Sequence, residues 1–146
     1  MKHRHLAACF LVFALALLVP GAPAFAQDRY AAFVADMDTG EVLHARRPDA
    51  TRYPASLTKM MTLYMLFDAL ERGELTLASQ LTMSAEAASR PPSKLGVPAG
   101  GTISVETAIR ALVIRSANDV AVMVAERLGG SETAFASQMT DRGVEL

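Results

Sequence analysis

Ser56 and Lys59 stand three residues apart in Pro54-Ala55-Ser56-Leu57-Thr58-Lys59, at the head of a long apolar run. Residues i and i+3 share a helical face, so this spacing sets a hydroxyl beside an amine. Such a pair can make a serine nucleophile whose proton goes to an amine, with no histidine needed. The spacing alone is weak evidence. Residues 27–146 hold nine serines and two lysines, so roughly 0.15 Ser-x-x-Lys matches arise by chance. An isolated match is more often a helix cap followed by a solvated first-turn lysine.

Ser116-Ala117-Asn118 follows 60 residues after Ser56. It offers a second hydroxyl and a carboxamide, expected on a short connection between two helical stretches. Taken alone it reads more simply as a cap or turn. His44 is the one histidine after the N-terminal segment; it falls in an expected strand and gets no catalytic role, because Ser-His chemistry needs an orienting acid that nothing in the sequence places. The methionines after Lys59 are read as core packing. No His, Cys or carboxylate cluster has metal-ligand spacing, so neither metal nor cofactor is expected.

Pro54 and Ala55 lead into the helix, Ser56 falls at its N-cap or first turn, and Met60-Met61-Thr62-Leu63-Tyr64-Met65-Leu66-Phe67 continue it until Gly73. A helix apolar on nearly every side predicts complete burial. Upstream, Ala31 to Asp36 and Glu41 to Arg46 flank the turn residues Asp38-Thr39-Gly40 and predict a hairpin. Downstream, Gln80 to Met83 predict a short extended piece, Ser84 caps a brief helix to Ala88, and Pro91 to Gly101 form a loop. Ser104 caps a helix from Val105 to Ile114, a further one runs from Val120 to Leu128 until Gly129-Gly130, and Ser131 starts the last. The order predicts an α/β chain of the α+β kind: a helical cluster against an antiparallel sheet, with two strands too few to complete it.

The chain opens with Lys2, His3, Arg4 and His5, runs apolar from Leu6 to Val19, and reaches Ala24-Phe25-Ala26. Residues 1–26 therefore read as a secretory signal peptide, and residues 27–146 as one small, partial domain. The apolar run is shorter than the ~20 residues that span a bilayer. The stretch from Met60 to Leu70 is interrupted by Asp68, so no transmembrane helix is expected after the signal. Cys9, the only cysteine, lies within the signal, leaving no thiol or disulfide afterwards. Leu6-Ala7-Ala8-Cys9 has the look of a lipoprotein box, but the apolar run follows Cys9 instead of preceding it, so lipidation is not expected. Removing Lys2 and Arg4 with no acid leaves 12 basic against 15 acidic residues, a net charge of −3. That balance argues against nucleic-acid or anionic-membrane binding.

Three segments occur in order: Tyr53-Pro54-Ala55-Ser56-Leu57-Thr58-Lys59-Met60-Met61-Thr62, Pro92-Ser93-Lys94-Leu95-Gly96, and Ser116-Ala117-Asn118-Asp119. Together they resemble the low-molecular-mass penicillin-binding proteins, the serine-type D-alanyl-D-alanine carboxypeptidases, over roughly Tyr30 to the C-terminus. The resemblance implies the N-terminal part of a serine β-lactamase/DD-peptidase-like fold. It implies an exported enzyme of the periplasm or cell envelope that takes peptidoglycan stem peptides as substrate and β-lactams as covalent inhibitors. By the same resemblance Ser56 is the acylated nucleophile, Lys59 its proton acceptor, Ser116 a proton relay to the leaving group, and Asn118 a substrate-orienting amide. An amine accepts a proton only when neutral, and a helix N-terminus both disfavours a cation and presents the Ser56 amide to a developing oxyanion.

Members of that family carry a third motif, Lys-Thr-Gly or similar, on a later strand. Lys59 and Lys94 are the only lysines after the signal and neither precedes Thr-Gly. The expectation is therefore a truncated enzyme, with membrane association left open through a missing C-terminal anchor. A serine β-lactamase shares the first two motifs but needs a deacylating base that this sequence does not display. A non-catalytic penicillin- or peptidoglycan-binding fragment is the reading from a different class, and a chain whose incomplete sheet leaves it unfolded is a third.

Overall fold

The computed structural model describes residues 30–146. The expected signal peptide and Cys9 lie outside the described residues. The chain divides into two compact units, one ending at Arg52 and the other running from Tyr53 to Leu146.

Within the first unit, β1 (Ala32–Ala35) and β2 (Val42–Arg46) pair antiparallel, with Phe33 opposite Ala45 and Val34 opposite His44. The Asp36 carboxylate closes the turn by accepting from the Thr39 hydroxyl and N–H, both at 2.8 Å, and from the Asp38 N–H at 3.1 Å. Every residue of β2 is exposed, His44 among them.

The second unit holds the core. A 3-10 turn at Ala55–Leu57 runs into α1 (Thr58–Glu71). After α1 come β3 (Gln80–Thr82), α2 (Ala85–Ala88), β4 (Thr102–Ser104), α3 (Val105–Arg115), α4 (Asn118–Gly129) and α5 (Glu132–Glu145). Three helix starts follow the serine caps: Ser84 accepts from the Ala87 N–H, Ser104 from Thr107 and Ser131 from Ala134. Gly73 ends α1 at φ 71°, a left-handed conformation that a side chain resists, and its N–H returns to the Leu70 carbonyl.

β4 occupies Thr102 to Ser104, between the expected loop and the expected helix, where no strand was expected. It pairs antiparallel with β3, Leu81 opposite Ile103. Three residues running into a serine cap carry too little alternation to show as a strand; the partner strand makes them one. Leu81, Met83, Val105, Val120, Met123 and Val124 are each at most 1% exposed and join Leu66 in one cluster. Full burial of such a side chain contributes about 1.5–3 kcal/mol.

The expected all-round burial of α1 is overturned. Thr62, Leu66 and Ala69 are buried, at intervals of four and three that make a single stripe. Met60, Tyr64 and Phe67 are exposed, Met60 at 67%. Side-chain polarity does not decide burial; the neighbouring elements do, and here they meet α1 along one stripe. α5 reaches α1 through Arg142, whose guanidinium lies 5.3 Å from the centre of the Tyr64 ring and bonds its hydroxyl at 2.8 Å.

Candidate functional site

Ser56 sits in the 3-10 turn, exposed, one turn before the half-buried Lys59. Neither that turn nor α1 is capped by a side chain, since Pro54 and Leu57 hold the cap positions without such a bond. The simple reading of Ser56 as a helix cap therefore fails. The turn begins at Ala55 with φ 50°, left-handed for a residue that ordinarily avoids it. Ser116 does the same at the C-cap of α3, with φ 52° and ψ 41°. Such strain persists where surrounding structure over-determines it, often at functional sites, and no local sequence pattern announces it.

Asn118, expected on the connection, is instead the first residue of α4. Its side chain reaches two elements. Lys59 Nζ donates to Asn118 Oδ1 at 2.8 Å, and Asn118 Nδ2 donates to the Pro91 carbonyl at 2.9 Å. The amide orientation follows from these partners, because an ammonium or amine N–H needs the oxygen and a carbonyl needs the nitrogen. The structure thus brings Lys59 and Asn118 into contact across 59 residues of sequence.

The loop after α2 closes over this junction. The Asn118 N–H donates to the Ser93 carbonyl at 2.8 Å, and the Ser93 hydroxyl donates to the Arg115 carbonyl at 2.6 Å. Asp119, fully buried, takes the N–H of Leu95 at 2.9 Å on one carboxylate oxygen and that of Gly96 at 2.8 Å on the other. Its first oxygen also accepts the Val120 N–H. No role for Asp119 is evident from the sequence. An acid in the first turn of a helix is common enough that only the three-dimensional path of the loop distinguishes this one.

Beside the Lys59–Asn118 pair opens a cavity of about 340 Å³, with Lys59, Thr62 and Asn118 on one side and Phe135 and Met139 on the other. Arg90, also on its wall, is ion-paired to Glu86 at 2.6 Å and to Glu132 of α5. Ser56 and Ser116 do not line this cavity. No group of three His, Cys, Asp or Glu side chains with metal-holding geometry occurs among the described residues. An exposed hydroxyl, an amine one turn along and a carboxamide gripping that amine suit acyl transfer through a serine ester.

A family model described as D-alanyl-D-alanine carboxypeptidase matches residues 21–146. Among curated proteins, the D-alanyl-D-alanine carboxypeptidase DacF of Bacillus subtilis is 31% identical over 121 residues, covering 83% of this chain and 31% of its own length. Among solved structures, the D-alanyl-D-alanine carboxypeptidase DacD of Francisella tularensis is 34% identical at TM-score 0.73, over 77% of this chain and 27% of that one. Penicillin-binding protein D2 of Listeria monocytogenes, solved in an ampicillin-bound form, is 27% identical at TM-score 0.60, over 79% of this chain and 45% of that one. The chain spans 31% of the length of the Bacillus relative.

Proposed function

Since this chain belongs to the D-alanyl-D-alanine carboxypeptidase family, we propose that it contributes the nucleophile and proton-handling part of a serine acyl-transfer site acting on D-alanyl-D-alanine ends of peptidoglycan stem peptides in the cell envelope. Ser56 is the nucleophile in this reading. Its Oγ attacks the carbonyl carbon of the penultimate D-alanine, its proton passes to a neutral Lys59 Nζ, and the Ser56 N–H at the head of the helix faces the developing oxyanion. The C–N bond then breaks, and Ser116 relays a proton to the departing D-alanine amine. Water hydrolyses the Ser56 ester and regenerates the hydroxyl. Asn118 orients the substrate and holds Lys59. A β-lactam, whose strained amide takes the place of the peptide bond, acylates the same oxygen.

The observation that carries this reading is the 2.8 Å bond from Lys59 Nζ to Asn118 Oδ1. It supports the reading by tying to α4 an amine that follows, three residues on in the chain, a hydroxyl no helix cap uses. The test is D-alanine release from a peptide ending in D-Ala-D-Ala, run beside hydrolysis of a chromogenic cephalosporin. Release abolished by Ser56→Ala supports the peptidase. Rapid cephalosporin turnover without D-alanine release points to a β-lactamase, and reversible β-lactam binding unaffected by Ser56→Ala points to a binding protein and overturns the proposal.

A further inference from the structure

Asn118 is oriented by the carbonyls of Pro91 and Ser93, exposed residues of a stretch without regular secondary structure whose half-buried Leu95 and Val97 pack against the core further along. Something must hold that stretch against the junction of α3 and α4. The Ser93 hydroxyl and the Arg90 ion pairs are themselves exposed, where such contacts hold least. Asp119 is different. Its carboxylate is fully buried and grips the loop at two successive N–H groups, one per oxygen, just beyond Ser93. Bonds to an ionised acceptor are about twice as strong as neutral ones, and leaving a buried carboxylate unpaired is costly.

We propose that Asp119 is a positioning residue: by clamping Leu95 and Gly96 it sets the loop that orients the Asn118 amide, and through that amide the Lys59 amine. The inference rests on Lys59 and Asn118 being the proton-handling pair of the site. The Asp119 carboxylate takes the N–H groups of Leu95, Gly96 and Val120, not Lys59 or the Asn118 amide, so its hold on the pair is exerted through the loop that carries Pro91 and Ser93. Asparagine has the same shape but faces one of the two loop N–H groups with a donor, so the clamp loses one bond and gains a repulsion.

The test is Asp119→Asn on the full chain, read by amide exchange and by the 15N resonances of Lys59 Nζ and the Asn118 side chain. The expected result is exchange at Leu95 and Gly96 faster by about 10-fold or more. Both side-chain resonances shift, with the far-UV circular dichroism unchanged. Acylation by benzylpenicillin slows by about 10-fold or more in the same variant. Loop amides released with Lys59 and Asn118 resonances unmoved would overturn the proposal, as would unaltered exchange. Should the variant not fold, the unaltered chain decides: Leu95 and Gly96 amides must exchange about 10-fold more slowly than Val97, and equal rates overturn the clamp. An unaltered chain that forms no penicillin adduct refutes the acyl-enzyme reading, while the resonances and exchange rates still judge Asp119.

Discussion

Replacing Asn118 with alanine removes two side-chain bonds and spares a third. The lost ones are Lys59 Nζ to Oδ1 at 2.8 Å and Nδ2 to the Pro91 carbonyl at 2.9 Å. The backbone N–H still reaches the Ser93 carbonyl, so the loop keeps one tie to α4. The bond from an amine in a part-buried setting is worth about 1–3 kcal/mol. To the extent that this bond holds Lys59 where it takes the Ser56 proton, its loss slows acylation by up to roughly 150-fold, at 1.4 kcal/mol per factor of ten. The Pro91 bond is neutral and exposed and adds about 1 kcal/mol to the Lys59 bond, so stability falls by about 2–4 kcal/mol, or roughly 10 °C or more in Tm for a unit of this size. The assay is the second-order rate of benzylpenicillin adduct formation by intact mass, with melting followed in parallel. Asn118→Asp separates the two contacts: it keeps an acceptor for Lys59 but turns an oxygen towards Pro91. The added negative charge beside Lys59 favours its ammonium form, which accepts no proton, so its acylation loss is at least that of Asn118→Ala, at comparable or greater loss of stability. An alanine variant that acylates within about twofold of the unaltered chain at equal folded fraction would refute the claim that the Lys59–Asn118 bond belongs to the reactive arrangement.

A Cβ at Gly129 would lie 2.7 Å from Phe135 Cβ and 2.8 Å from its Cα and N; since backbone cannot swing aside, Gly129→Ala is expected to cost about 1–3 kcal/mol, read as a lower urea midpoint, and an unchanged midpoint would contradict the packing. Ser104→Ala removes the acceptor for the Thr107 N–H at the start of α3 and is expected to cost about 1 kcal/mol, at unchanged dependence on denaturant. The Thr39 hydroxyl, followed by the Thr39 and Asp38 N–H groups, holds the Asp36 carboxyl below its ordinary 3.8. A depressed folded value means that the turn's support is complete above pH 3.8 and is lost as pH falls through the lower folded value. Thr39→Val should move the Asp36 titration, followed by carboxyl-carbon NMR, up towards 3.8, and an unmoved titration would show that the hydroxyl is not the main cause.

The parts of the molecule legible in the sequence are those set by bonds a few residues long. Ser84, Ser104 and Ser131 cap helices because a serine oxygen meets an N–H three residues on, a contact written wholly in local order. The hairpin was legible for the same reason, through the turn residues Asp38-Thr39-Gly40 set between two short runs. Ser56 and Lys59 were legible as chain neighbours because only three residues separate them, across a 3-10 turn that runs into α1. What the sequence withheld depends on partners far along the chain. β4 exists only opposite β3, and α1 is buried only along the stripe its neighbours cover. Asp119 holds a loop 23 and 24 residues upstream. The left-handed backbone at Ala55 and Ser116 is likewise imposed from outside, since neither residue prefers it. Asn118 was expected on the connection and stands instead at the head of α4. That displacement matters chemically, because only at the head of α4 does its amide meet both Lys59 and Pro91.

The central claim is that Ser56 is an activated nucleophile, and the most direct measurement is the intact mass of the chain after incubation with benzylpenicillin, beside Ser56→Ala. A stable one-to-one adduct is expected that maps to Ser56 and is absent from the variant. A folded chain without an adduct, or an adduct that survives Ser56→Ala, would contradict it.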